Sequence, residues 1–343
     1  MEDQRLIDRI SPIWLGIGIS GLLLVILVVI ETALGRWDQI LIEGKLDVLA
    51  DVSSGALRDV RIAIVHCLVI GYLPAALLHV LRSGRRTVLA LQDALGCSRA
   101  ECETLAASFK LSGTGLAISG SIALLVAFAM PYMVPPVPAT PWHPSTWSPE
   151  VAWHRILSPA AMVWAWWLGY AIIAVSLRLS RIAKGLQQVD LFNLNALTPF
   201  TQQGLTNALL LIGSFSIWSL MMLETGFMQV LLLIAVVTLA GTVIALLSQV
   251  YSVHKKISHA KEQELEWVNS KIARQRNVLQ SPDAGRRSGE MADLVAYRSL
   301  VESISEWPFT ASTYTRIVLY AFLPAAMWAI SLVAENIVER VFL

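Results

Sequence analysis

The chain has 343 residues, of which 55% are hydrophobic and 15% charged, against about 25% charged in a soluble domain. With a mean hydropathy of +0.60, it belongs in a membrane. The 26 basic and 25 acidic side chains leave a net charge of +1, which excludes a nucleic-acid binder, and three cysteines make no disulfide framework.

Seven windows are apolar over the roughly 20 residues that a helix needs to cross a hydrocarbon core of about 30 Å: 12 to 31, 60 to 81, 113 to 133, 151 to 177, 205 to 224, 227 to 249 and 313 to 334. Each has to be helical, because lipid offers backbone groups no partner. The expected fold is an all-α polytopic membrane protein in three parts: spans one to six in residues 1 to 249, a helical hairpin in 250 to 311, and span seven in 312 to 343.

In chain order, Met1 to Ile10 mixes Glu2, Asp3 and Asp8 with Arg5 and Arg9, and no small-residue cleavage site follows the first apolar run. It reads as a retained span, not a signal peptide. Gly16-Ile-Gly18-Ile-Ser-Gly21 has the spacing of the dinucleotide fingerprint without the strand that must precede it. Those glycines, and Gly113, Ala117 and Ser121 in span three, are read instead as small-residue contacts between helices. Residues 32 to 59 set Leu41, Leu46, Leu49 and Val52 among acids, the pattern of a helix lying along the interface.

Span two places His66 and Cys67 in its middle, with Pro74 eight positions after the histidine. An imidazole at membrane depth is a functional candidate, although a single one is more often hydrogen-bonded to a neighbouring helix. Arg82, Arg85 and Arg86 follow and suit phospholipid headgroups. Ser98-Arg-Ala-Glu101 has capping-box spacing, which implies short helices under the membrane. Cys97 and Cys102 are five apart, as are His254 and His259; that spacing turns about 140° around a helix, so neither pair converges on a metal. The stretch from Met133 to Trp147 has no Lys or Arg and is rich in Pro and Trp, as an extended loop on the headgroups requires. Trp153, Trp164, Trp166 and Trp167 read as lipid and packing groups.

Span five carries a polar stripe of Asn207, Ser214, Ser216 and Ser219, and span seven adds Thr315, Tyr320, Pro324 and Ser331. These hydroxyls and amides either line water or bond across helices, and Pro324 bends its helix. Glu31, Glu224 and Glu335 fall at the outer boundary. They are solvated helix ends or, alternatively, a carboxylate ring at a cation-selective mouth.

Residues 250 to 311 have a helical rhythm in Leu265, Val268, Ile272, Gln275 and Leu279. The run from Ser281 to Gly289 breaks it, and Leu294, Tyr297, Val301 and Ile304 repeat it until Trp307-Pro308. This predicts a two-armed antiparallel hairpin continuous with span six. Threading the spans alternately puts 20 of the 26 Lys and Arg on the side of the hairpin. By the positive-inside rule that side is the cytoplasm, so the N-terminus is inside, the C-terminus outside, and the membrane is the plasma (inner) membrane.

No metalloprotease, phosphate-loop or nucleophile-elbow motif is present, and no span holds an acidic pair. Neither an enzyme nor a cofactor is expected. Val189-Asp-Leu-Phe-Asn-Leu-Asn-Ala-Leu-Thr-Pro-Phe, and the chain from His254 to Leu265 continuing to Glu306-Trp-Pro-Phe, resemble segments of prokaryotic multi-pass membrane proteins, which implies a helical membrane fold and no particular activity. The layout is also similar to that of insect odorant and gustatory receptor channels, with Thr313-Tyr314 as the shared residues. That resemblance implies a homo-oligomer whose last span lines a pore. The expected function is a membrane sensor or scaffold that docks a cytoplasmic protein on its hairpin. The alternative is a homo-oligomeric ion channel with helices five and seven near the conduction path.

Overall fold

The computed structural model describes residues 10–35, 55–133, 142–144, 147, 149–186, 189–220, 228–279, 288–309, 311–324, 326 and 329. Among them the secondary structure is helical throughout, and five helices are long and apolar enough to cross a membrane. In chain order the helices are α1 (Pro12–Ala33), α2 (Gly55–Ala90), α3 (Gln92–Leu95), α4 (Arg99–Ala107), α5 (Gly113–Met133), α6 (Pro149–Lys184), α7 (Thr198–Ser219), α8 (Met228–Leu279), α9 (Ser288–Ser303) and α10 (Ala311–Ala321). The apolar five are α1, α2, α5, α6 and α8.

Two of the seven expected spans are not among those five. Span five is the helix α7, but Gln202, Gln203 and Asn207 dilute its apolar run, and residues 221–227, which would complete it, lie outside the described part. Span seven begins as α10; after a turn at Phe322, Leu323, Pro324, Ala326 and Ala329 are helical again, with Ala326 N donating to the Phe322 carbonyl at 2.9 Å, and the rest of the expected span lies outside the described residues. Most of the interfacial helix expected between 32 and 59, the loop from 134 to 141, and Glu224, Ser331 and Glu335 are outside the described residues.

Helices α2 and α6 form the centre. Their side chains Leu73, Val80, Leu168, Ile172, Val175 and Leu179 are almost wholly buried, and α1, α5, α7 and α8 pack around them. Residue pairings give each helix a direction. His66 meets His154 and Gly84 faces Val175, so α2 and α6 run parallel. Gly16 faces Gly71 while Leu27 packs on Ala63, Gly115 faces Tyr170 while Gly120 faces Trp167, and Gln203 meets Thr87 while Leu210 meets Tyr72, so α1, α5 and α7 run the other way. One end of the bundle thereby collects Arg82, Arg85, Arg86, Lys110, Arg178 and Lys256. At this end Arg178 donates to the Lys110 carbonyl and Lys256 to that of Leu186, at 2.9 Å.

Close approach uses small residues, but in α5 they are not the ones expected. Gly113, Ala117 and Ser121 face away from the protein. The contact stripe is Gly115, Ser119, Ala123 and Ala127, two positions along at the same spacing of four. An added Cβ at Gly115 would lie 2.2 Å from the Tyr170 hydroxyl. Because α5 is apolar on every side, its period gives no register; the partner α6 selects the stripe. In α1, Gly16 makes the contact while Gly18 and Gly21 face open space.

Under the basic end, Ser98 caps α4, and the Ser98 backbone N–H donates to the Glu101 carboxylate at 2.8 Å, closing the expected capping box. Hydrogen bonds from Ser98 hold the Glu101 carboxyl below its ordinary pKa. A depressed acid stabilises the fold above its ordinary value, and that contribution disappears as pH falls through the depressed one. Amide protection at the start of α4, corrected for intrinsic exchange, is therefore expected to fall on acidification below about pH 4. Unchanged protection in Glu101→Ala at neutral pH would show that the box contributes nothing.

Candidate functional site

Three groups of side chains stand out, all on the bundle and its extension. The first is at the end opposite the basic residues. His66 is fully buried, one to two turns from Arg61 where the α2 span begins, not mid-span as the sequence suggested. Its Nδ1 is 2.8 Å from the Ile62 carbonyl. A carbonyl only accepts, so His66 donates from Nδ1 and presents its Nε2 lone pair, to which His154 Nδ1 donates at 3.2 Å. The rings meet edge to face with centroids 4.7 Å apart, and Trp218 of α7 closes the contact at 6.3 Å. Three helices are thus joined at an imidazole pair linked by one N–H···N hydrogen bond.

The second group is an amide and hydroxyl node nearer the basic end. Thr87 of α2 donates to Gln203 Oε1 at 3.2 Å, and Gln203 Nε2 donates to Asn207 Oδ1 at 2.8 Å, both on α7. Asn207 Nδ2 and Gln249 Nε2, from α7 and α8, both donate to Ser176 Oγ of α6, at 3.3 and 2.8 Å. All five residues are buried, Asn207 and Gln249 completely. One turn further along, Ser180 and Ser252 pair at 2.7 Å. Four helices therefore meet in one polar cluster inside an apolar bundle. Gln249 Oε1 is buried without a hydrogen-bond partner among the described residues, so the cluster has one unused acceptor at α8.

The third group fixes the extension of α8. Past the apolar bundle this helix continues without interruption to Leu279, and α9 folds back along it. Val268 and Val301 are fully buried between the arms. Lys261 Nζ donates to the carbonyls of Glu302 and Ile304 at 2.9 and 2.8 Å, capping the end of α9. The Tyr297 hydroxyl donates to Glu264 at 2.9 Å. Burial and the adjacent carboxylate raise the pKa of that hydroxyl. Gln275 and Glu290 join the arms further out. At the base, His254 stacks flat on Trp307 at 4.2 Å, and Thr201 of α7 donates to the Pro308 carbonyl at 3.0 Å. His259 bonds Gln263 instead.

Of the candidate pore, mouth and headgroup residues read from the sequence, His66 and Asn207 are the described ones drawn into these clusters. Ser216 and Ser219 bond carbonyls of their own helix, and Ser214 is half-buried on α7. Glu31 is buried near the end of α1. Arg82 and Arg85 are half-buried and Arg86 exposed at the basic end. Thr315 is exposed, and Tyr320 and Pro324 are half-buried, on the last described stretch. His154, Ser176, Gln203 and Gln249 were missed, although an amide or imidazole within or beside an apolar window is itself a signal.

Interhelical hydrogen bonds inside a membrane are worth about 0.6 kcal/mol each. Asn207→Ala, which removes the interhelical bond to Ser176 and leaves the buried Gln203 amide without its acceptor on the same helix, is expected to cost about 1 kcal/mol in unfolding measured in bicelles, whereas Ser216→Ala should fall within error. Equal losses would contradict the node. No family model, curated protein or solved structure matches this chain.

Proposed function

We propose that the protein is an integral membrane sensor or scaffold that acts on a cytoplasmic protein partner through the hairpin of α8 and α9. The observation that carries this reading is the continuity of α8. One helix of 52 residues, about 78 Å long at 1.5 Å per residue, holds Gln249 in the buried node at one point and the α9 contact at another. A change in the packing of α6, α7 and α8 thereby reaches the hairpin without crossing a loop. The unused acceptor on Gln249 supports the reading further, because a rearrangement that brings a donor to it gains a hydrogen bond. The hairpin also leaves Trp267, Val295 and Leu300 about half exposed, apolar area of the kind that a partner covers.

In this reading the basic end faces the cytoplasm of the cell that makes the protein. The test replaces residues 258 to 306 by a short flexible linker and compares the proteins crosslinked to it in intact cells with those crosslinked to the full chain. Loss of specific partners with membrane insertion intact is the expected result, and retention of every partner would overturn the proposal. Ionic current from the purified protein in a planar bilayer, changed by neutralising Glu224 or Glu335, would favour the oligomeric channel instead.

A further inference from the structure

Cys97 and Cys102 are bonded to each other in the structure, with their Cα atoms 6.1 Å apart. On a continuous helix residues five apart point about 140° away from each other, and the sequence reading kept this pair apart for that reason. The helix, however, begins between them. Gly96, at φ +61°, ends α3 in the left-handed region, and Ser98 is the N-cap of α4. Cys97 is therefore the residue before the cap, and Cys102 is the fourth residue of the helix. These are the two positions that an apolar staple joins across a capping box. Here two sulfurs occupy them.

We propose that Cys97 and Cys102 are a reversible dithiol–disulfide pair that exchanges with small disulfides of the glutathione class at the basic end of the bundle. Three observations carry this. The capping box is made by Ser98 and Glu101 alone, so it holds the two sulfurs adjacent whether or not they are bonded, and reduction does not require α4 to unfold. The sulfurs also differ in access, since Cys102 is fully buried and Cys97 only half so. Finally, α4 packs on α2 at the end that carries Arg82, Arg85 and Arg86. On the cytoplasmic orientation proposed above, on which this inference rests for its compartment, that end faces a reducing solution in which an accessible disulfide turns over.

The roles follow from access. The Cys97 thiolate attacks one sulfur of the small disulfide, forming a mixed disulfide and releasing one thiolate. The Cys102 thiol then loses its proton and attacks the Cys97 sulfur, releasing the second thiolate and closing the Cys97–Cys102 bond. The protein dithiol is oxidised by two electrons and the small disulfide is reduced to two thiols, so the exchange balances without another oxidant. Cys67, buried on α2 and donating to the Ala63 carbonyl, takes no part and serves as an internal reference.

The experiment equilibrates the full chain, in nanodiscs, across ratios of reduced to oxidised glutathione and counts free thiols with a maleimide–polyethylene glycol after unfolding. Expected is the joint disappearance of two thiols in one transition, with the third constant. In Cys102→Ser, Cys97 should accumulate a glutathione adduct that persists; in Cys97→Ser, the buried Cys102 should form several-fold less. Two thiols free at every ratio, or equal adducts in the two variants, would overturn the pair. Sealed cells provide the second arm. A membrane-permeant reductant should open the bond and an impermeant one should not. Opening by the impermeant reagent would instead overturn the orientation and the cytoplasmic exchange, while leaving the pairing found in nanodiscs intact.

Discussion

Gly71→Leu is expected to separate α1 from α2 and to lower the stability of the bundle. A Cβ at Gly71 would lie 2.0 Å from the Ser20 hydroxyl, 2.5 Å from the Gly16 carbonyl oxygen and 3.0 Å from the Ser20 nitrogen. A serine side chain can turn away, but two of these atoms are backbone, so the helix itself must move. Overpacking a rigid contact costs about 1–3 kcal/mol and occasionally more, and a whole leucine set against backbone belongs at the upper end. Only 6% of the apolar window of α1 is buried; beyond this crossing it is held by Leu27 against Ala63 and Cys67, by the partly buried Ile19, Leu23 and Leu24, and by the buried Glu31 near its end. A distance between spin labels on α1 and α2 should lengthen in the variant, and thermal unfolding in detergent should come earlier. Gly18→Leu and Gly21→Leu, which add bulk toward open space, should leave both measurements unchanged. If the three variants behave alike, the crossing at Gly71 is wrong.

Lys261→Met is expected to release α9 from α8 while the membrane helices stay folded. The side chain of Lys261 is only 13% exposed and its Nζ is 3.6 Å from the Glu306 carboxylate, in addition to the two carbonyls it caps. Hydrogen bonds involving a charged group contribute about 1.5–3 kcal/mol each, and the last carbonyls of a helix have no partner of their own. Methionine keeps the length of the side chain but none of its donors, so about 3 kcal/mol should be lost from the docking of the return arm. Limited proteolysis should then cut between Ser288 and Ser303 at a rate raised at least tenfold, with hydrogen exchange in α2 and α6 as before. Protection of α9 equal to that of the unaltered chain would show that Val268 and Val301 suffice to hold the arms together.

The hairpin could be read almost residue by residue because its sequence alternates apolar with charged positions, and that alternation reports which side is buried. The rhythm through Leu265 and Val268, and through Tyr297 and Val301, is the contact seam observed. Inside the bundle that contrast vanishes. Lipid and protein interior are equally apolar, so a window such as α5 shows where a helix is and not which way it faces, and the small-residue stripe came out two positions off. The polar clusters were half legible. His66 and Asn207 stood out in strongly apolar company, while Gln203, Gln249 and His154 sat where span and boundary merge. In the cysteine pair, two readings of the same ten residues conflicted. A capping box starting at Ser98 already puts Cys97 outside the helix, and that local signal decides the geometry over the helical angle.

The unbroken course of α8 contains no proline, and sharp bends in helices need such a cause. From Gln249 to Leu279 is about 45 Å at 1.5 Å per residue, so a tilt of only about 10° at the amide sweeps the far tip through about 8 Å. Displacements too small to open any passage between the packed helices would thus be magnified, at Leu279, into movements as wide as a helix spacing.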